Sequence, residues 1–352
     1  MKNKRVSWIF AACAGMFLLA GCGGENQEIF RQAEKDMEQG SYEYARQGFE
    51  TSVSNGWKMA ESYRGAGICS MRLGNYEDAI AYFTNALNCE KVSKSLAKDV
   101  LSYRAAASLQ AGLLDDAMAD CQTLSEEYTM DAETYFLTGE VALTMDSYDE
   151  AASNFQKSYE EDATYDRAIE IYESYLEQDM EADGTKYLEA ALETEPKDAE
   201  DYCDRGRVYY YMEDYEQARK ELIEASNQGD TEALLYLGMV YQAQKDISNA
   251  RSMYQDYISK GDSPAKGYNG LALCDIAEGN YGDALTEISN GLPLSTTEEM
   301  QDLLYNEIVI YEKQLDFSTA LQKAKEYLEI FPEDGNMERE MKFLQSRVGT
   351  TQ

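Results

Sequence analysis

The sequence predicts an all-α protein, a solenoid of about nine helix-turn-helix units followed by one C-terminal capping helix. Three observations support this prediction. The 352 residues include only 4 prolines, which favours long helices over a loop-rich β protein. The hexapeptide GNYEDA at residues 74–79 returns as GNYGDA at residues 279–284, close to six periods of 34 residues later. Apolar residues recur at helical spacing on both sides of each such turn.

Related turns fill the interval between the two copies and extend beyond it on both sides. Each turn has an aromatic or aliphatic residue at its third position, or Glu in one weaker case, and a small residue at its sixth. The sixth-position residues are Ala45, Ala79, Ala117, Ala151, Gly184, Ala218, Ala250, Ala284 and Ala320. Their spacing stays between 32 and 38 residues, which indicates an internal repeat rather than chance turns.

Each unit is predicted to be a helix, a tight turn and a second helix. In the fourth unit AETYFLTGEVALTM (132–145) precedes the turn and AASNFQKSYEED (151–162) follows it. Small residues in the first helix and the alanine column in the second let the two backbones approach closely. The small residues of the first helix include Gly67, Gly139, Gly206 and Gly238, and the residues expected to fill the space between units include Tyr76, Phe83, Tyr148, Phe155, Tyr215 and Leu222. One such hairpin cannot bury its apolar face alone, so neighbouring units must stack.

This pattern resembles the tetratricopeptide repeat, a helical hairpin of 34 residues. The seventh unit carries the family's residues as Leu234, Leu237, Gly238, Tyr241, Ala250 and Tyr254, and Pro196 and Pro332 end two units. The resemblance implies a right-handed solenoid over residues 27–335, with a capping helix and tail over 336–352. Two units depart from the family pattern, the fifth with Tyr172 and Gly184 and the ninth with Ile308, and we expect looser packing there.

The first 21 residues have the organisation of a secretory signal peptide. Lys2, Lys4 and Arg5 precede an apolar run of 15 residues, which is too short to span a bilayer comfortably. The sequence LAGC at 19–22 resembles a bacterial lipobox, which implies cleavage before Cys22 and its acylation. The alternative is an ordinary cleaved signal with a cysteine nearby. The lipobox places the protein on the extracytoplasmic face of the cell membrane, with residues 22–26 as the lipidated cysteine and a short tether.

Composition narrows the classes of partner and of chemistry. The 31 basic and 66 acidic residues give a net charge of −35, which would repel a nucleic-acid backbone and excludes nucleic acid as a partner. A basic protein partner and simple solubility are both consistent with this acidity. Histidine, the commonest general base and metal ligand, does not occur. We find no catalytic motif or metal-ligand spacing, so we expect a binding protein without catalytic residues, cofactor or metal. We expect the cysteines after Cys22 to be small buried hydrophobic residues.

The resemblance implies that binding residues lie on the first helix of each unit, at repeat positions 2, 5, 9 and 12. The aromatic candidates there are Phe30, Phe136, Tyr210 and Tyr305. Position 2 is acidic in most units, as Glu61, Asp99, Glu133, Asp166, Glu200, Glu232 and Asp302. These carboxylates form either a rail for a basic, extended peptide or the usual acidic first turn that complements a helix dipole. The aromatic residues are likewise either groove residues or packing residues.

The sequence therefore favours a membrane-anchored scaffold or adaptor of the cell envelope that holds an unidentified protein or peptide. The alternative is a substrate-capture lipoprotein that passes a peptide or glycan to a transporter. Starch-binding lipoproteins with such repeats carry aromatic-rich insertions, whereas Trp57 is the single tryptophan beyond the signal peptide. An enzyme is the third class, and we expect no catalytic activity.

Overall fold

The computed structural model describes residues 22–332 and 334–348, and all regular structure within these ranges is helical. A 3₁₀ turn at Leu292–Leu294 precedes α17. The α-helices are α1 (Cys22–Glu38), α2 (Tyr42–Ser54), α3 (Met59–Arg72), α4 (Tyr76–Leu87), α5 (Lys94–Gln110), α6 (Leu114–Glu127), α7 (Ala132–Thr144), α8 (Tyr148–Glu161), α9 (Tyr165–Glu177), α10 (Glu181–Ala191), α11 (Ala199–Tyr211), α12 (Tyr215–Asn227), α13 (Glu232–Ala243), α14 (Ile247–Lys260), α15 (Pro264–Glu278), α16 (Tyr281–Gly291), α17 (Thr297–Lys313), α18 (Phe317–Ile330) and α19 (Gly335–Val348).

The helices α1 to α18 form nine antiparallel hairpins, as the sequence predicts. Each second helix also packs against the first helix of the next unit, and first helices of successive units contact one another. Within the described ranges, second helices of successive units do not pack together to a comparable extent. The first helices therefore form the inner, concave layer of a repeat solenoid, and α19 packs on α18 at its end. The predicted all-α repeat fold is confirmed.

All nine hairpin turns share one backbone feature. The first residue of each hexapeptide has a positive φ, between 57° and 79°. Glycine fills this position in four turns, as Gly40, Gly74, Gly112 and Gly279, while five turns place Asp146, Asp179, Glu213, Lys245 and Leu315 there. Because side chains with a Cβ are disfavoured in this left-handed region, the five non-glycine turns store some backbone strain.

Where the two helices of a unit touch, a large side chain on one helix packs against a small residue on the other. A Cβ on Gly139 of α7 would lie 2.6 Å from the ring of Phe155 on α8, so the glycine makes room for the ring. The fifth unit reverses the arrangement, because Tyr172 stands on the first helix and a Cβ on Gly184 of the second would lie 2.9 Å from its Cα atom. In the ninth unit, buried Ile308 belongs to one cluster with Ala320 and Ala324. Each of these two units thus has a large buried side chain on its first helix close to small residues of its second helix, and the looser packing stays a prediction.

Tyrosines fill the space on both sides of the fifth unit. The backbones of α8 and α9 approach closely at few points, yet Tyr165, Tyr175 and Tyr187 are buried there in a cluster that runs from α7 to α11. Of the residues predicted to fill the space between units, Phe83, Phe155 and Leu222 are fully buried, whereas Tyr148 is 48% exposed at the surface. Cys69, Cys121, Cys203 and Cys274 are buried and Cys89 is partly exposed, all as free thiols.

The first and last described helices lie where the sequence predicts a tether and a capping helix. Helix α1 begins at Cys22, so residues 23–26, predicted to be a tether, form its first turns, with Glu25 placed to complement the helix dipole. The predicted signal peptide, residues 1–21, lies outside the described residues. No helix in the described part of the chain is long and apolar enough to cross a membrane. At the other end, α19 covers α18 with the buried side chains Met337 and Leu344.

Candidate functional site

An apolar groove crosses the concave face of units six to nine. Its volume is about 770 Å³, and the first helices α11, α13, α15 and α17 all contribute to its lining. Tyr210, Leu235, Met239 and Leu273 provide its apolar surface, and none of the four is fully buried. We call this surface the apolar groove. It offers side chains that a partner could cover.

Two glycines and one tyrosine bring the helices of the groove together. The ring of Tyr254 on α14 lies between α13 and α15, and a Cβ on Gly238 or Gly270 would lie 2.4 or 2.5 Å from that ring. Because both first helices are free of a side chain here, they approach the tyrosine, and Leu235 and Leu273 of these helices both line the groove. The Tyr254 hydroxyl donates to Gln242 Oε1 at 2.9 Å, which satisfies the one polar atom of this buried ring.

Charged side chains line the α17 end of the groove. Lys266, Glu299 and Asp302 lie there. Glu299 accepts hydrogen bonds from the Ser263 hydroxyl and from the backbone N–H of Thr296. Burial raises the pKa of Glu299, but these hydrogen bonds outweigh burial and hold the pKa below its usual value. Glu299 therefore stays a carboxylate across the physiological pH range.

A second, acidic pocket of about 530 Å³ lies at units four to six, where α7, α9, α11 and the connections before α9 and α11 line it. Seven carboxylates and two cationic residues, Arg167 and Lys197, line it. We call it the acidic pocket, and its carboxylates belong to Glu133, Asp162, Asp166, Glu170, Glu200, Asp201 and Asp204. Burial, followed by the charge of Asp166, raises the pKa of Asp204 to about 6. In the described ranges no three His, Cys, Asp or Glu side chains are grouped to hold a metal ion.

The four aromatic candidates have different environments. Tyr210 lines the apolar groove. Tyr305 is 46% exposed and lines a smaller cavity between α17 and α19 with Phe343. Phe136 is half-buried, with its ring 5.7 Å from that of Phe155 and the Arg167 guanidinium 4.8 Å from its centroid. Phe30 was expected on the binding face, but it is 6% exposed and packs on Phe49 at 5.5 Å, so it is a core residue.

Several acidic candidates are tied to neighbouring units. Asp99 pairs with Arg64, Glu133 with Arg167 and Asp166 with Arg207, each pair joining first helices of successive units. Glu232 accepts from the Tyr257 hydroxyl at 2.6 Å. Asp302 lies at the groove rim. Glu61 and Glu200 are exposed and make no ion pair or hydrogen bond with the described residues. Three of the seven acidic candidates thus form ion pairs between units, and the peptide rail and the dipole preference both stay predictions.

Sequence reasoning missed most of the apolar groove. Leu235 and Met239 occupy repeat positions 5 and 9 of the seventh unit, and Asn269 and Leu273 occupy the same positions of the eighth. The positional rule that selected Tyr210 also selects these residues. They were overlooked because only aromatic and acidic residues were considered at those positions.

Comparison with known proteins identifies the repeat in part of the chain. The tetratricopeptide repeat family model matches residues 71–129 and 203–269, and the second segment contains Tyr210, Leu235 and Met239 of the groove. No curated protein matches the sequence.

Similar solved structures include repeat proteins of low sequence identity. A tetratricopeptide repeat protein from Parabacteroides merdae is 16% identical, covers 72% of this chain and 99% of its own, and has a TM-score of 0.45. The APC/C hetero-tetramer Cut9–Hcn1 gives 14% identity, 92% and 77% coverage and a TM-score of 0.39. A MamA fragment from Desulfovibrio magneticus gives 16% identity, 49% and 96% coverage and a TM-score of 0.42.

Proposed function

We propose, from the tetratricopeptide repeats that this chain carries, that it is a membrane-anchored lipoprotein scaffold on the extracytoplasmic face of a bacterial cell envelope. Its concave face holds one segment of a partner protein, and its lipidated Cys22 holds the assembly at the bilayer.

The apolar groove is the observation that carries this proposal. Three successive first helices present Tyr210, Leu235, Met239 and Leu273 to solvent in one concavity. An apolar concavity on a chain that is 28% charged marks a surface used for binding. A protein segment suits this surface better than a glycan, because Tyr210 and Tyr254 are the aromatic residues in its lining and no tryptophan is among them.

Anchoring by lipid is consistent with the charge of the protein. A body with a net charge of −35 is repelled by anionic headgroups, so attachment must come from something other than surface charge. Two or more acyl chains on Cys22 would anchor the protein stably.

Site-specific photo-cross-linking in living cells tests the scaffold. We expect a cross-linker at Leu235 of the full-length protein to capture one dominant protein. The control site is Lys220 on the outer helix α12, whose side chain is 74% exposed. If Leu235 and Lys220 capture the same background proteins, the scaffold function is contradicted.

A separate experiment tests the anchor. We expect Cys22→Ser to move the protein from the membrane fraction to the soluble fraction and to abolish acylation detected by mass spectrometry of the intact protein. Cys89→Ser, at a partly exposed cysteine within the array, is the control and should change neither result. An unacylated wild-type protein would rule out the lipid anchor.

A further inference from the structure

The apolar groove and the acidic pocket meet on one helix. Helix α11 gives Tyr210 to the groove and Glu200, Asp201 and Asp204 to the acidic pocket. At 3.6 residues per turn, Glu200 and Asp204 lie about 80° and 120° around α11 from Tyr210. A ligand that contacts both surfaces must therefore cross α11.

The length of α11 sets the spacing between the two surfaces. At a rise of 1.5 Å per residue, Asp204 lies about 9 Å and Glu200 about 15 Å from Tyr210 along the helix axis. An extended chain rises about 3.3 Å per residue. The same distances therefore correspond to roughly three to five residues of an extended ligand.

The two surfaces differ in the chemistry that they would recognise. The groove is lined mainly by aliphatic and aromatic carbon, with half-buried Leu235, Met239 and Leu273 open to a ligand. The acidic pocket has an excess of carboxylates, since Arg167 is already engaged by Glu133 and Glu170 and Arg207 by Asp166 and Asp204. Glu200 is exposed and has no partner among the described residues. An additional lysine or arginine side chain would balance part of this excess negative charge.

We propose that the groove takes a bipartite segment of a basic partner protein. An aliphatic side chain of the segment lies against Tyr210 and a neighbouring one on Leu235, Met239 or Leu273, and a lysine or arginine three to five residues from the first lies between Glu200 and Asp204. This inference rests on the proposed scaffold function and names the chemistry of its partner. The long-range field of a chain with a net charge of −35 also attracts a basic partner.

Synthetic peptides test the pairing of the two features. The probes are extended peptides with two adjacent leucines and one lysine placed one to eight residues from them, titrated onto the full-length protein in detergent. We expect the affinity to be highest at an offset of three to five residues, to fall at least tenfold when the lysine is replaced by glutamate, and to weaken with added NaCl. An affinity independent of the lysine or of its offset would overturn the proposal, and so would no binding of any peptide below about 1 mM.

Variants of the protein test the contributions of the apolar groove and of the acidic pocket separately. We expect Met239→Glu to weaken every leucine-containing peptide at least tenfold, because it places a charge in the apolar groove. Glu200→Gln should reduce only the advantage of the lysine peptide over its glutamate counterpart, and Asp204→Asn should do the same. Glu216→Gln, at an exposed position of α12 away from the concave face, is the matched control and should change neither. Equal effects of Glu200→Gln and Glu216→Gln would overturn the acidic half.

The outcomes separate this inference from the scaffold function. If Leu235 captures one partner in cells but Met239→Glu and Glu200→Gln leave that cross-link unchanged, the scaffold stands and the bipartite segment is wrong. If the peptides bind as expected but no protein is captured in cells, the bipartite site stands and the scaffold is wrong. Saturable binding of a neutral oligosaccharide that displaces the peptides would replace the protein segment by a glycan.

Discussion

Two buried tyrosines show how the same residue type can stabilise or strain the array. The Tyr187 hydroxyl is buried and has no hydrogen-bond partner in the described structure, whereas the Tyr257 hydroxyl donates to Glu232 at 2.6 Å. Tyr187→Phe should therefore raise the free energy of unfolding by up to about 1 kcal/mol, because it removes an unsatisfied polar atom. Tyr257→Phe should lower it by about 1–2 kcal/mol. Urea denaturation of both variants tests this, and a loss of stability in both would contradict it.

Glu140 gives the array a pH dependence. Burial, with smaller contributions from the nearby carboxylates Glu177 and Glu170, raises the pKa of Glu140 to about 7 against the lowering effect of the Ser174 hydrogen bond. The carboxyl therefore binds its proton more tightly in the folded state than in the unfolded state, where its ordinary pKa is 4.5. The stability contributed by the protonated form is present below pH 4.5 and is lost as pH rises through about 7.

Glu140→Gln should remove this pH dependence. We expect the variant to melt at a higher temperature than wild type at pH 8 and to differ little from it at pH 5. Glu126→Gln, at an exposed position near the end of α6, is the control and should follow wild type at both pH values. An equal gain at pH 5 and pH 8 would mean that the titration of Glu140 does not cause the effect.

At the scale of the helical element, the left-handed turn residue can be tested directly. Leu315 has φ 60° and is 73% exposed, so its side chain gains little packing for the backbone strain. Leu315→Gly should stabilise the protein by about 1 kcal/mol, since glycine adopts this conformation freely. The reverse change, Gly279→Leu, should destabilise it by a similar amount, and a Cβ there meets nothing within 4 Å. Thermal unfolding of both variants would contradict this explanation if the signs were the same.

The sequence predicted the elements well because their signals are local. The turn hexapeptides and the small residues fixed nine hairpins and a capping helix close to Gly335–Val348. The packing of the large Tyr172 against the small Gly184 was not predicted, because it depends on which residues face each other across two helices. The ion pairs of Arg64, Arg167 and Arg207 were not foreseen either, since the reach of an arginine depends on the angle between units. Part of the groove could have been predicted, because Leu235 and Leu273 occupy repeat positions 5 and 9, which the family resemblance assigns to the binding face.

At the scale of the whole molecule, charge opposes compactness. The excess of 66 acidic over 31 basic residues makes the folded chain repel itself. We expect the melting temperature to rise between about 20 mM and about 500 mM NaCl, because salt screens this repulsion. Binding of the lysine peptides should weaken over the same range, so the two effects have opposite signs. A variant with Glu127, Glu161 and Glu216 changed to Gln should show a smaller rise, and a fall in melting temperature would contradict the explanation.

The winding of the array brings its distant parts near each other. Turns of the first four units and the segment from α17 to α19 line one opening of about 1210 Å³, with Tyr76 and Phe331 on opposite sides of it. Because each unit packs mainly on its neighbours, we expect a change in one interface to alter the width of this opening without breaking any hairpin. Small adjustments distributed over many units would then change the shape of the concave face.

The rates at which the buried thiols react can report the opening of individual units. Cys69, Cys121, Cys203 and Cys274 lie in units two, three, six and eight, and burial raises the pKa of all four, to about 12 for Cys69 and about 11 for Cys121 and Cys274. A closed unit thus shields its sulfur from an alkylating reagent, and only an opened one reacts. The extent of alkylation of each cysteine after short exposures to iodoacetamide, measured by mass spectrometry, would give the rate at which each region opens. These rates would show whether the array frays from its ends or opens as one body.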